Sequence, residues 1–385
     1  MSTALIAGYA RTPFARFTGT LARIPATNLG AHAAAAALER AGIAADAVDT
    51  VVVGQVLQAG AGQNPARQTA VGAGVPLTVP AITINAVCLS GAEAIAQGVR
   101  LIATGEARIV LAVGQESMSL APHVLPGSRA GTKFGGIGLL DTVEHDGLTD
   151  AFERRSMGLS TEERNPGYGL TREAQDAFAA ASHQRAAASA AFQAEEIAPF
   201  APRDGVEPIG HDDGVRADTT PESLAKLRPA FTTDGTITAG NASQITDGAA
   251  AVVLVAEDLA TELGLTPLAR IRSTAFVAGP DVSLHEQPAA AIEAALGKAG
   301  LGVDDLVAIE INEAFAAVGL RSTQRLGADA AIVNQHGGAI ALGHPIGASG
   351  TRVVGTLARQ LAAAGPGSIG AAALCGGGGQ GTAIV

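Results

Sequence analysis

Short β-rich runs alternate with Ala-rich stretches of helical length along this chain, and the alternation is run through twice. Read by apolar periodicity and bounding turn residues, the first series gives a strand at Leu5 to Gly8, a helix from about Thr27 to Ala41, a strand Thr50 to Val56, a helix around Ala66 to Ala73, a strand Ala81 to Asn85, a buried helix Ser90 to Thr104 and a strand Arg108 to Val113. The second gives a strand near Ala269 to Ser273, a helix Gln287 to Ala299, a strand Leu306 to Ile311, a helix Ala314 to Leu326, a helix Ala348 to Ala364 and a strand Ser368 to Leu374. Such alternation folds as α/β layers. Both series end alike, in a long Ala-rich helix, a Gly turn at Gly105 or Gly365, and a hydrophobic strand reaching Gly114 or Cys375. That likeness points to an internal duplication.

A chain of 385 residues exceeds the size at which one core keeps growing, so two core units are expected. Only 3% of its residues are aromatic, while 47% are hydrophobic, so the core must be built from closely packed Ala, Val, Leu and Ile. From about Glu116 to Thr246 the character changes, with Pro, Gly and charge runs such as Gly205-Val206-Glu207-Pro208 and His211-Asp212-Asp213-Gly214. An insertion of that length is expected to be functional. Its strongest helix runs from Arg172 to Gln193, with Thr171 as N-cap.

A net charge of -11 argues against a general polyanion binder but leaves room for one small anionic ligand. Two Cys and no CxxC pattern exclude a disulfide framework and argue against zinc. Met1 to Tyr9 reads as a strand, because it lacks the basic and long apolar regions of a signal peptide. No run reaches the roughly 18 to 20 apolar residues of a membrane span. The expected location is cytoplasmic.

Four segments carry chemistry. In Ile84-Asn85-Ala86-Val87-Cys88-Leu89-Ser90-Gly91 a Cys stands where a strand meets a helix, and N–H groups at a helix start favour a thiolate and a lowered thiol pKa. Alone, this would equally fit a buried structural Cys. Gly343-His344-Pro345-Ile346-Gly347-Ala348-Ser349-Gly350 holds a His in a turn before a helix. Cys375 ends a strand and meets Gly376-Gly377-Gly378-Gly379-Gln380-Gly381, a run whose backbone N–H groups can face an oxyanion or simply turn the chain. Asn312-Glu313-Ala314-Phe315 follows the strand Leu306 to Ile311, at the edge where α/β sheets gather ligands. Asn312 would also serve as a plain helix cap.

Together, and in their order along the chain, the four segments resemble the thiolase family, and the resemblance covers nearly the whole chain. The pattern is Asn-x-x-Cys-x-Ser-Gly, Asn-Glu-Ala-Phe, Gly-His-Pro-x-Gly-x-Ser-Gly and a terminal Cys-x-Gly-Gly-Gly. The resemblance implies an α/β thiolase fold: two similar βαβαβ-type halves in a five-layer α-β-α-β-α arrangement, with an inserted loop domain. The halves would be residues 1–115 with 247–268, and residues 269–385; residues 116–246 would cover a coenzyme A site. It implies Cys88 as the acyl-accepting nucleophile, His344 as its activating base and Cys375 as the acid/base at the substrate α-carbon. Asn312 would hold a water that joins His344 at the enolate oxygen, and the N–H groups of Cys88 and Gly377 would serve the acyl oxygen.

Similarity further places Ser243 beside the pantetheine arm, and Leu148, Met157, Arg216, Ser223, Phe231 and Phe315 around coenzyme A. The implied activity is acetyl-CoA C-acetyltransferase, with acetyl-CoA, acetoacetyl-CoA and CoA as substrates and products, no prosthetic group, no metal, and a homo-oligomer, dimer or tetramer. Rival readings are a longer-chain 3-ketoacyl-CoA thiolase of fatty-acid degradation, a decarboxylating ketosynthase, and a non-catalytic acyl-CoA carrier on the same scaffold. Two departures bear on the acyl chain. Ser156 stands where many acetoacetyl-CoA thiolases have a His, and His285 is aligned with a Met that often lines the acyl pocket.

Overall fold

The computed structural model describes residues 2–203 and 205–385. Met1, the first residue of the stretch read as a strand, and Asp204, within the segment 116–246, lie outside the described residues. Two sheets carry the architecture. The first runs in the order Ala269–Arg270, Ala4–Arg11, Thr246–Ala256, Ile109–Ser117, Thr50–Gly54, Ala81–Ile84, and the second in the order Thr274–Ala278, Gln380–Ile384, Ile369–Gly376, Leu306–Ile311.

The four strands of the second sheet match four consecutive strands of the first. In each, the opening strand pairs antiparallel with the closing strand, which pairs antiparallel with a strand that in turn runs parallel to its other neighbour. Beyond the extra edge strands of the first sheet, the difference lies in one connection. In the second half Ile369–Gly376 turns directly into Gln380–Ile384, whereas in the first half the equivalent strands, Ile109–Ser117 and Thr246–Ala256, are separated by residues 118–245.

Five layers follow from the period-2 geometry of strands whose two faces are both buried. Ala249, Ala251, Val253 and Val255 face the outer helices Ala26–Ala41 and Pro65–Gly72, while Ala250, Val252, Leu254 and Ala256 face inward. In the second sheet Ala372 and Leu374 face the same inner layer, and Ala371 and Ala373 face the outer helix Gln287–Ala299. The inner layer is a pair of helices, Ser90–Thr104 and Ser349–Ala364, one from each half. They touch backbone to backbone at Gly91 and Gly350: a Cβ on Gly91 would lie 2.7 Å from the Thr351 N, and one on Gly350 would lie 2.2 Å from the Ala92 N.

The helices Ser90–Thr104 and Gln287–Ala299 and the strand Leu306–Ile311 fall where the sequence places them. Three readings are corrected. The strand expected near Ala269 to Ser273 is two residues on the edge of the first sheet, and the second sheet opens instead with Thr274–Ala278. The helix Arg172 to Gln193 breaks at Ser189 into Arg172–Ala188 and Ala190–Glu196, although Thr171 does cap it, accepting from the Ala174 N–H at 3.2 Å. Ile109–Ser117 runs four residues beyond Val113, which brings Glu116 and Ser117 into the sheet.

The inserted segment is pinned to the first sheet by buried charge. The Arg11 guanidinium reaches both carboxylate oxygens of Asp212, at 2.7 and 2.8 Å, and Glu196 at 3.0 Å, with all three residues buried. Asp212 belongs to the acidic run noted above, so that run is anchored inside the molecule. Burial without a partner would cost each ion several kcal/mol on the order of the desolvation penalty, and the bidentate geometry offsets it.

Candidate active site

The two central helices point their N-termini toward one place, and the turns leading into them carry Cys88 and His344. Val87, just before Cys88, has φ of 51°, a costly conformation for a β-branched residue. The motif's own polar residues hold it there: the Asn85 Oδ1 accepts from the Val87 N–H at 2.9 Å, and the Ser90 hydroxyl accepts from the Ala86 N–H at 2.9 Å and donates to the Val87 carbonyl at 2.6 Å. Asn and Ser in that segment therefore build the turn that presents the sulfur.

His344 is held from both sides. Its backbone N–H donates to the Gln244 carbonyl and the Thr246 Oγ1, each at 3.1 Å, and its Nδ1 pairs with the Ser349 hydroxyl at 2.6 Å. The Asn312 Nδ2 stands 3.4 and 3.5 Å from the two ring nitrogens. Burial, with Arg352 behind it, lowers the imidazole pKa to about 3, so the ring is neutral at rest.

Both sulfurs are buried. The expected lowering of the Cys88 pKa is not found: burial drives it up to about 12, against the opposing pull of the N–H groups of Gly377 and Cys88 itself. Loss of hydration outweighs the helix-start field here. Burial and the nearby Cys88 raise the Cys375 thiol as well. The resting site thus holds two thiols and a neutral imidazole, a set suited to passing protons without storing charge.

A cavity of about 320 Å³ brings together Cys88, His344, Cys375 and Gly377 with Leu148, Met157, Phe231, Ser243 and Phe315. Asn312 lies behind His344, and Arg216 and Ser223 lie outside the cavity. Both are exposed on the inserted segment, where the Arg216 N–H donates to the His183 Nδ1 and Ser223 forms a reciprocal cap with Thr220. The alignment of His285 with the pocket wall is corrected: its neighbour Leu284 lines the cavity. The His285 ring is fully buried elsewhere, with its Nε2 2.9 Å from the Asn165 Oδ1 and its face against Tyr168. Ser156 does reach the cavity and also caps the helix Met157–Arg164. Sequence reading missed Glu144, Ile245, Leu284 and Ile346 in the lining. Ile346 stood inside a motif already singled out; the others carry no signal of their own.

A family model described as "Thiolase, N-terminal domain" matches residues 4–258, and "Thiolase, C-terminal domain" matches residues 265–385. The "Probable acetyl-CoA acetyltransferase" of Mycobacterium tuberculosis is 52% identical, covering 100% of this chain and 99% of its own. The "Acetyl-CoA acetyltransferase" of Pseudomonas aeruginosa is 50% identical over the same shares. A crystal structure of the Acat5 thiolase from Ascaris suum in complex with coenzyme A superposes with a TM-score of 0.93 at 39% identity, covering 99% of this chain and 98% of that one. With two cysteines and a histidine meeting at the junction of two matched halves, and family models matching on both sides of that junction, the chain belongs to the thiolase family.

Proposed function

We propose that this chain is an acetyl-CoA C-acetyltransferase, joining two acetyl-CoA to acetoacetyl-CoA and CoA, and running the reverse cleavage. The observation that carries the reading is the meeting of Cys88, Cys375, His344 and Gly377 on one largely apolar cavity. In the first half-reaction the Cys88 sulfur attacks the thioester carbonyl and its proton passes to His344. The N–H groups of Cys88 and Gly377 receive the developing oxyanion, and CoA leaves with the Cys375 proton, so that Cys375 becomes a thiolate facing the protonated His344. The Cys375 thiolate then takes a proton from the α-carbon of the second acetyl-CoA, with the enolate oxygen facing His344 and a water held by Asn312. The new carbanion attacks acetyl-Cys88, the C–C bond forms, the thioester to Cys88 breaks, and His344 returns its proton to the Cys88 sulfur, which restores two thiols and a neutral imidazole.

A cavity of about 320 Å³ takes the acyl group and the end of the pantetheine arm, with Ser243 beside it. The rest of CoA then lies over the exposed Arg216 and Ser223. The division into residues 1–115 with 247–268, 116–246 and 269–385 follows the strand pairing except at its edges, since Ile109–Ser117 runs past residue 115 and Ala269–Arg270 pairs with the first sheet. A homo-oligomer, dimer or tetramer, is supported by exposed Ile82 on the edge strand Ala81–Ile84, and by Leu77 and Phe134, which are 70% and 99% exposed. Among the described residues no helix is long and apolar enough to cross a membrane, and a cytoplasmic location is proposed.

The test is CoA-dependent cleavage of acetoacetyl-CoA beside 3-ketoacyl-CoAs of increasing length. The expected result is a rate that falls steeply beyond four carbons; faster cleavage of longer chains overturns the assignment in favour of a degradative thiolase, and cleavage of none in favour of an acyl-CoA carrier. Cys88→Ala should form no acyl-enzyme by mass spectrometry. Cys375→Ala should still acylate but lose exchange of the α-proton, and full condensation by that variant would reverse the assigned roles.

A further inference from the structure

Glu116 is fully buried at the end of Ile109–Ser117, and no Lys or Arg pairs with it among the described residues. Its carboxylate is used up by backbone. The Oε2 accepts from the Val56 N–H and the Gly347 N–H, each at 3.0 Å, and the Oε1 accepts from the Leu57 N–H at 3.1 Å. Val56 and Leu57 follow a strand of the first half; Gly347 lies three residues after His344 in the second. Val56, Leu57, Ile346 and Cys88 pack in one apolar cluster, so the donors flank the nucleophile's own surroundings.

The contact is tight as well as polar. A Cβ on Gly114 would lie 2.6 Å from the Gly347 carbonyl oxygen, and one on Gly347 would lie 2.6 Å from the Gln115 carbonyl oxygen and 2.8 Å from the Glu116 Oε2. The turn carrying His344 is therefore pressed onto the strand end that carries Glu116. Three N–H bonds are what keep a carboxylate tolerable there, since burial and the like charge of Asp247 push its pKa up to about 7. A group this costly, outside the lining of the cavity, calls for a role in placement.

We propose that Glu116 is a positioning residue for the acyl-transfer reaction: by accepting N–H groups from a loop of each half, its carboxylate sets the His344 turn against the Cys88 pocket. The inference rests on the acyltransferase reading above. Glu116 acts through the two turns and touches no reacting atom. A misplacement of about 1 Å between reacting groups costs on the order of 100-fold in rate, which is the scale such a residue controls.

The test uses the full chain and Glu116→Gln, which keeps the volume but presents an NH2 where a carboxylate oxygen met a backbone N–H. Expected is a kcat for acetoacetyl-CoA cleavage reduced about 10-fold or more, a KM for CoA within about two-fold of the parent, and an equally slowed acetylation of Cys88 by acetyl-CoA, followed by mass. A kcat within about two-fold, or kcat and KM lost together with a lowered melting midpoint, overturns the proposal. If the Gln variant does not fold, Glu116→Asp, charged but one methylene shorter, is expected to show the same loss confined to kcat; failure of both to fold makes Glu116 a stability residue and equally overturns it. A parent enzyme that cleaves no acetoacetyl-CoA removes the acyltransferase reading instead, an outcome read before any variant is compared.

Discussion

His285 shows what a single residue owes to its surroundings. Its ring is buried beside Asn165, and burial, with the Arg164 charge second, lowers its pKa from 6.5 to about 4. The unfolded chain then binds a proton below pH 6.5 that the native ring refuses, so the stability His285 brings is present above 6.5 and lost as pH falls toward 4. His285→Met is expected to cost about 1 kcal/mol at pH 7, where a hydrogen bond is removed. At pH 5 the deficit should shrink or reverse, because only the parent is strained by the untaken proton; melting midpoints at the two pH values measure it. The same residue marks a limit of sequence reading. Cys88, His344, Asn312 and Cys375 stand out because their four motifs occur together, since each motif alone fits a structural role as well. Which of Leu284 and His285 faces the cavity is decided by the path of a loop, and no local pattern encodes that. Glu116 was in plain view in Gly114-Gln115-Glu116-Ser117, but its partners are backbone atoms far away in sequence.

At the level of elements, most helices were legible because one face of each is apolar at the helical period, and the central pair was placed to within a residue. Thr246–Ala256 was not assigned, although it is the longest strand of the molecule among the described residues. Both of its faces are buried, so no polar alternation marks it, and its Ala run suits a helix as well as a strand. Gln380–Ile384 was hidden for another reason: the Gly run before it reads as slack, yet it closes a regular hairpin. The Gly91 and Gly350 contact makes the spacing of the central helices testable. Gly350→Ala should push them apart, lowering stability by about 1 to 3 kcal/mol and slowing acyl transfer, since Cys88 and His344 lie at their N-termini. Gly297→Ala is the matched control: a Cβ there meets nothing within 4 Å, so it should leave the rate unchanged and raise stability by up to about 1 kcal/mol. Thermal melts and single-turnover acylation separate the two.

The whole molecule was foreseen as two matched halves and an insertion, because duplication repeats a pattern that is easier to see than any single element. What the pattern does not tell is how far the halves depend on each other. The inner cluster draws on both, with Leu89, Ile95 and Val252 packed among Val353, Leu357 and Leu374. A chain stopped at residue 258 would expose that face, so it is expected to bind a hydrophobic dye and to melt without a cooperative transition, whereas the full chain should unfold in one step. The placement of residues 118–245 between two strands that lie side by side has a last consequence, which concerns time. The second half closes its equivalent pair across residues 377–379, and closing the longer connection costs about 3 kcal/mol more in chain entropy. During synthesis at roughly 5 to 20 residues per second, Ile109–Ser117 leaves the ribosome on the order of ten seconds before its neighbour Thr246–Ala256 exists. For that interval the nascent first sheet carries an open edge through its middle, the kind of unpaired edge that invites wrong pairing.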